Sequence, residues 1–258
     1  MNYTHPKYSK TIISTLTYLL SFCILAFTYS CNPSKPNKVV PISVNDNSEY
    51  KEAKTVETIK KQQQFSKWLF IGDSLTAGFG VEIDQSYVSV LQDIITSENL
   101  VDSTLLKEPK LINAGVSGDT SAGVLRRLDW LLAEKPDRVF LCIGANDGLR
   151  GQPLAALEKN LTKIIKKLKD LHIYVYLMGM KLPPNYGESY TTQFAQVYVN
   201  ISKNEMIPLY PFLLEGVAGH HQYNQADGIH PTEAGHHKIA KKLSKKLINI
   251  GLLQKSIK

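Results

Sequence analysis

The sequence predicts an α/β fold in which a mostly parallel sheet is covered on both faces by helices. Three observations predict it. Short apolar runs alternate with amphipathic stretches, the apolar runs are continuous rather than alternating, and the chemically unusual residues come straight after them. The strand candidates are WLFIG (68–72), KLINA (110–114), RVFLCIG (138–144), IYVYLMG (173–179) and a short IPLY (207–210). Runs such as VYLMG have no polar side to show to water, as expected of parallel strands buried on both faces. The helix candidates, 86–97, 121–133, 153–170, 189–204 and 232–248, carry apolar residues at three- and four-residue spacing.

In such sheets the crossovers are right-handed and ligands sit beyond the carboxyl ends of the strands. The residues that follow the first three strand candidates are GDS, AGVSGD and GAND. Chemistry is therefore expected along one edge of the sheet.

The bulk numbers are those of an ordinary globular protein. The chain has 258 residues, 43% hydrophobic and 21% charged, enough for one domain of about 190 residues plus extra segments, or at most two small domains. Its formal charge is +7, of which Lys7 and Lys10 contribute two. Much of the rest lies in KNLTKIIKKLKD and KIAKKLSKKL, where the apolar spacing points to solvated amphipathic helices rather than a nucleic-acid patch.

Residues 1–30 read as an export signal of lipoprotein type: Lys7 and Lys10 precede the apolar run TIISTLTYLLSFCILAF, and Cys31 follows Ser30. Thr28 stands where such signals usually carry Leu, and cleavage without lipid or an uncleaved anchor are the competing readings. All three place the body outside the cytoplasm, and lipidation of Cys31 would attach it to the membrane of a bacterial envelope. Residues 31–66, rich in Pro, Asn, Ser and Lys, read as a flexible tether, and 67–258 as the folded domain. Once the leader and its Cys23 are gone, Cys31 and Cys142 remain, so no disulfide framework is expected; Cys142 lies in an apolar run and reads as a small buried hydrophobe.

A serine hydroxyl is a poor nucleophile until a base takes its proton and a third group orients that base. Ser74 lies in FIGDSLTAG, and DGIHP supplies Asp227 and His230 three residues apart ahead of a helix, so that the carboxylate can meet one ring nitrogen while the other faces the serine. The backbone N–H groups of Ser74 and Gly118 and the side-chain amide of Asn146 follow strand ends on the same edge, where they could hold a developing oxyanion. Taken alone, Asp-x-x-His is also a common helix cap, and Asn146 with Asp147 also reads as a turn or cap.

From Trp68 onward the chain resembles the SGNH hydrolase superfamily, the GDSL esterases and lipases. The four blocks appear in order: the Ser in FIGDSLTAG, the Gly in NAGVSGDTS, the Asn in IGANDGLRG and the His in DGIHPTEAGH. NAGVSGDTS, GANDGLRG, LPPNYG and DGIHP further resemble the bacterial subgroup of multifunctional acyl-CoA thioesterases, lysophospholipases and arylesterases. The resemblance implies a flavodoxin-like three-layer α/β/α sandwich around a five-stranded parallel sheet. It implies Ser74 as nucleophile, His230 as base and acid, Asp227 as its orienting partner, and Ser74, Gly118 and Asn146 as oxyanion hole, with no metal and no cofactor. By the same resemblance Leu149 and Arg150 border the acyl pocket; Asp73 is a further candidate for substrate contact, and PPNYGESY a candidate rim.

Other constellations carry less. GVSGD ends in Asp where the α/β-hydrolase elbow needs Gly, so Ser117 reads as a loop residue. His220, His221, His230, His236 and His237 crowd together, but without HExxH they read as surface or helix-start histidines. The chain has no GxxxxGK[ST], and GFGVEI lacks the last Gly of a dinucleotide fingerprint. Aromatics in SYTTQFAQVYVN fall at helical spacing and read as core. The expected protein is a monomeric serine esterase for aryl and acyl esters, lysophospholipids or thioesters, with an acetyl-sugar esterase of the same fold or a non-catalytic lipid- or glycan-binding lipoprotein as alternatives.

Overall fold

The computed structural model describes residues 65–256; the expected signal and most of the expected tether lie outside the described residues. Five strands form one sheet: β1 (Phe65–Gly72), β3 (Glu108–Gly115), β4 (Arg138–Cys142), β5 (Tyr174–Met178) and β6 (Leu209–Tyr210). Their order is β3-β1-β4-β5-β6 and every neighbouring pair is parallel. β2 (Leu100–Asp102) and β7 (Leu253–Lys255) make a separate antiparallel pair.

The helices follow the apolar period of the sequence closely: α2 (Tyr87–Ser97), α3 (Ser121–Leu132), α5 (Leu154–Asp170), α6 (Glu188–Glu205) and α7 (Glu233–Asn249). Two short helices at strand ends, α1 (Ser74–Ala77) and α4 (Ala145–Leu149), were not legible as helices. The connection from β1 through α2 runs to β3 on one side, whereas those through α3, α5 and α6 step across the sheet the other way. Right-handed crossovers in opposite directions place their helices on opposite faces. In agreement, α2 packs on α7, while α3 packs on α5 and α5 on α6. The direction reverses between β1 and β4, and the crevice beyond their carboxyl ends is where ligands bind in such sheets.

The central strands β1, β4 and β5 are apolar because both of their faces are covered, whereas the edge strand β3 leaves Lys110 and Asn113 exposed. Trp68, Leu69, Phe70 and Ile71 of β1 have no exposed surface, and neither do Val139, Phe140 and Leu141 of β4. Register places Phe70 beside Phe140 and Phe140 beside Tyr176. The first pair stacks at 4.4 Å with planes 3° apart, and the second meets edge-on at 5.6 Å. Cys142 is buried in this core, and Phe194 and Tyr198 of α6 join it. At the far end of the sheet Asp102 is fully buried and is held by Arg138 through two bonds of 2.5 and 2.7 Å.

Candidate active site

The turn after β1 ends in α1. Asp73 caps it, its Oδ1 accepting the N–H of Leu75 at 3.1 Å, so Ser74 takes the first helical position at the rim of the sheet. On the other side of the crevice, Asp227 Oδ1 accepts the N–H groups of Ile229 and His230, both at 3.0 Å. This tight turn precedes α7 and aims the imidazole across the crevice. His230 Nδ1 lies 2.6 Å from Asp227 Oδ2, and His230 Nε2 lies 2.9 Å from Ser74 Oγ. With Nδ1–H donating to the carboxylate, Nε2 is left to accept the serine hydroxyl. Partial burial works against ionisation of Asp227, but the bonds from the His230 ring and from two backbone N–H groups prevail and draw its pKa down to about 2. It is therefore an anion at neutral pH.

Asn146 sits on α4, just beyond β4. That turn is pinned from three sides. Asp147 accepts the N–H and hydroxyl of Ser121, Tyr190 Oη donates to Gly148 O at 3.2 Å, and Tyr198 Oη donates to Ile143 O at 3.0 Å. Gly118 adopts φ +78°, a conformation that suits glycine, in a loop clamped by Arg127, which bonds both Asp119 and Ala114 O. The N–H of Gly118 and the amide of Asn146 have no hydrogen-bond partner among the described residues. Gly118 itself is not among the residues that line the cavity beside Ser74 and Asn146.

Ser74, Asn146 and His230 line one cavity of about 520 Å³. Its wall is apolar, from Leu149 on α4, Met180 and Leu182 after β5, and Phe212 and Leu214 after β6, with the Lys181 side chain over the Phe212 ring. Pro183 and Pro184 belong to it, so the expected rim at PPNYGESY does border the site.

Two expected substrate contacts sit differently. Asp73 adjoins the cavity but is 1% exposed: one oxygen caps α1, and Oδ2 has no partner among the described residues. Burial raises its pKa to about 6, opposed by the Leu75 N–H and by the nearby His230. Arg150 does not line the cavity. Its Nη2 donates to Gly118 O at 2.9 Å and so ties the Gly118 loop to the turn that carries Asn146.

The histidines split. Among the described residues no three His, Cys, Asp or Glu side chains are grouped to hold a metal ion. His236, expected at the surface or a helix start, does lie in the first turn of α7 but is fully buried rather than at the surface. Its Nδ1 accepts the N–H of Tyr87 at 3.2 Å because the inner face of α7 turns it toward α2. Two residues near His230 carry no signal in the sequence. The Phe79 ring lies 4.6 Å from that of His230, and Gln225 Nε2 donates to Phe79 O at 2.7 Å.

Residues 70–238 match the profile of the GDSL-like Lipase/Acylhydrolase family, well over half of the chain. The chain belongs to that family. It is 43% identical over 167 residues to esterase TesA of Pseudomonas aeruginosa, covering 64% of this chain and 80% of the relative. It is 36% identical over 180 residues to thioesterase 1/protease 1/lysophospholipase L1 of Escherichia coli K12, covering 69% and 82%. The crystal structure of the psychrotrophic esterase EstA from Pseudoalteromonas sp., inhibited by monoethylphosphonate, superposes with a TM-score of 0.65 at 35% identity, covering 71% of this chain and 99% of that one. The protein is thus a GDSL hydrolase, an esterase by family, with the α/β sheet expected of it.

Proposed function

We propose that this GDSL hydrolase is a serine carboxylesterase that works through an acyl-enzyme and takes single-chain acyl substrates. The observation that carries the reading is the continuous hydrogen-bonded chain from Ser74 Oγ through His230 to Asp227, at 2.9 and 2.6 Å. Ser74 Oγ bonds to the substrate carbonyl carbon as its proton passes to His230 Nε2, and the carbonyl electron pair moves to oxygen. The N–H groups of Ser74 and Gly118 and the Asn146 amide receive that oxyanion. The tetrahedral adduct collapses, the alcohol departs with the proton from His230, and water then repeats the sequence to release the acid and free Ser74. Asp227, an anion throughout, steadies the imidazolium between the two halves.

The apolar cavity supports an acyl chain rather than an acetylated sugar, whose hydroxyls would find few partners there. The lysophospholipase in the name of the Escherichia coli relative supports lysophospholipids among the substrates, beside aryl and acyl esters. An enzyme exported by the signal in 1–30 and anchored through Cys31 would meet these in the bacterial envelope, where cytosolic thioesters are not met.

A fluorophosphonate probe should label wild type and not Ser74→Ala, and Ser74→Ala should lose at least a thousandfold in hydrolysis of p-nitrophenyl butyrate. Undiminished turnover by that variant would overturn the mechanism. Hydrolysis confined to acetylated saccharides, with none of butyryl to dodecanoyl esters or lysophosphatidylcholine, would overturn the acyl-chain reading.

A further inference from the structure

Phe79 is an aromatic side chain left half in water: it is 49% exposed, at a position five residues from the nucleophile. Burying its ring would have been favourable, so its exposure calls for a cause. The local backbone supplies one. Gly78 and Gly80, on either side, adopt φ +80° and +78°, a region costly to other residues. The N–H groups of Gly78 and Phe79 both donate to Ser74 O, at 3.1 and 3.0 Å. Phe79 is therefore hung from the carbonyl of the nucleophile itself.

Gln225 fixes the other side. Its Nε2 donates to Phe79 O at 2.7 Å and to Pro231 O at 2.9 Å, while its backbone N–H donates to His230 O at 2.7 Å. One side chain thus joins the turn after the nucleophile to the turn that carries the histidine. A Cβ on Gly80 would come within 2.3 Å of Gln225 Oε1, so this clip also requires glycine there. The outcome is a ring held against His230 at 4.6 Å and tilted by 43°, with its remaining surface free.

The location decides what the free surface can meet. His230 lines the apolar cavity and Phe79 does not, so the ring stands outside the acyl wall, beside the imidazole. In acyl transfer His230 hands its proton to the departing oxygen, which places the leaving alcohol next to that imidazole. We propose that Phe79 is the leaving-group platform of this enzyme, a specificity-determining residue that stacks a flat aromatic alcohol and thereby selects aryl esters. The inference rests on the esterase reading above and deepens it by naming the alcohol. Aromatic pairs of this kind contribute a factor of about 2 to 12 beyond burial of area.

The test compares p-nitrophenyl butyrate with trifluoroethyl butyrate, which share the acyl group and differ in the shape of the alcohol. Taking each variant relative to wild type cancels the intrinsic reactivities of the two esters. Phe79→Ala should lower kcat/KM for the aryl ester about five- to tenfold more than for the trifluoroethyl ester, and Phe79→Tyr should keep the wild-type ratio. Phenol should also inhibit wild type more tightly than Phe79→Ala, a readout that a role confined to propping up His230 would not move. An equal loss on both esters, or no change on either, overturns the platform while the esterase stands. A wild-type protein that hydrolyses neither ester and takes no fluorophosphonate label brings down the esterase reading itself.

Discussion

The Asp147 carboxylate accepts both the backbone N–H and the hydroxyl of Ser121, at 2.9 and 2.5 Å, across the interval between the two loops that follow β3 and β4. Asn160 Nδ2 donates to the same hydroxyl at 3.0 Å, closing a small buried network beneath the turn that presents Asn146. Asp147→Ala should therefore act on fold and rate together. It strands a buried N–H and a hydroxyl and should cost about 2–4 kcal/mol in urea unfolding. A lowered kcat, from looser placement of the neighbouring amide, should accompany that loss. A variant as stable and active as wild type would show that the network anchors nothing.

Asn146→Ala should behave in the opposite manner. Its amide has no partner among the described residues, so little stability is at stake. In the proposed mechanism the amide meets oxygen only as charge develops, and its loss should lower kcat by about 100- to 1000-fold with KM little changed. Thermal unfolding within a degree or two of wild type should accompany that loss. A drop in kcat of less than about tenfold would remove Asn146 from the oxyanion site.

The long helices were legible because apolar residues recur at their period over 11 residues or more, as in α2 and α5. α1 and α4, with four and five residues, offer no such repeat; they exist because a cap and tertiary bonds hold them, Asp73 for one and Asp147 for the other. The β2–β7 pair joins Leu100 to Lys255, a pairing no local pattern announces. Ser74, Asp227 and His230 stood out because their chemistry is specific and their blocks lie at strand and helix ends. Phe79 was invisible for a different reason: its role depends on a Gln225 clip across 146 residues, and a lone Phe between glycines signals nothing by itself. The burial of His236 could have been read, since Ile239, Leu243 and Leu247 extend back to it along one helical face.

Asp73 and His236 predict opposite pH dependences. The buried Asp73 keeps its proton up to about pH 6, whereas an ordinary Asp gives it up near 3.8, so folding takes up a proton between those values and stability falls as pH rises through them. Burial, with smaller contributions from the charges of His230 and His237, lowers His236 from 6.5 to about 4, so the unfolded chain binds the proton first and stability falls as pH drops through that window. Each effect amounts to about 3 kcal/mol at full extent. Relative to wild type, Asp73→Asn should therefore gain stability between pH 4 and 7. The deficit of His236→Asn, whose oxygen can still accept the Tyr87 N–H, should instead widen over the same range. Urea titrations at the two pH values check both, and curves that stay parallel to wild type would contradict the assigned protonation states.

Arg138 and Asp102 test the frame at the end of the sheet remote from the site. Asp102 is buried, and burial alone would raise its pKa. The Arg138 guanidinium and the N–H groups of Leu105 and Thr104 outweigh that and hold it below the ordinary carboxylate range. Trp68 Nε1 donates to the same carboxylate at 3.0 Å, and the guanidinium lies over the rings of Tyr174 and Trp68. Arg138→Met leaves an anion in the core with only neutral donors around it, and should cost about 3–5 kcal/mol. Adding Asp102→Leu should recover part of that loss, because the stranded charge is removed with its partner. The folded fraction of either variant should keep wild-type kcat on p-nitrophenyl butyrate, because the pair adjoins the start of β4 whereas Asn146 follows its end. A double variant no more stable than Arg138→Met would show that lost packing around Trp68 and Tyr174, rather than unpaired charge, sets the cost.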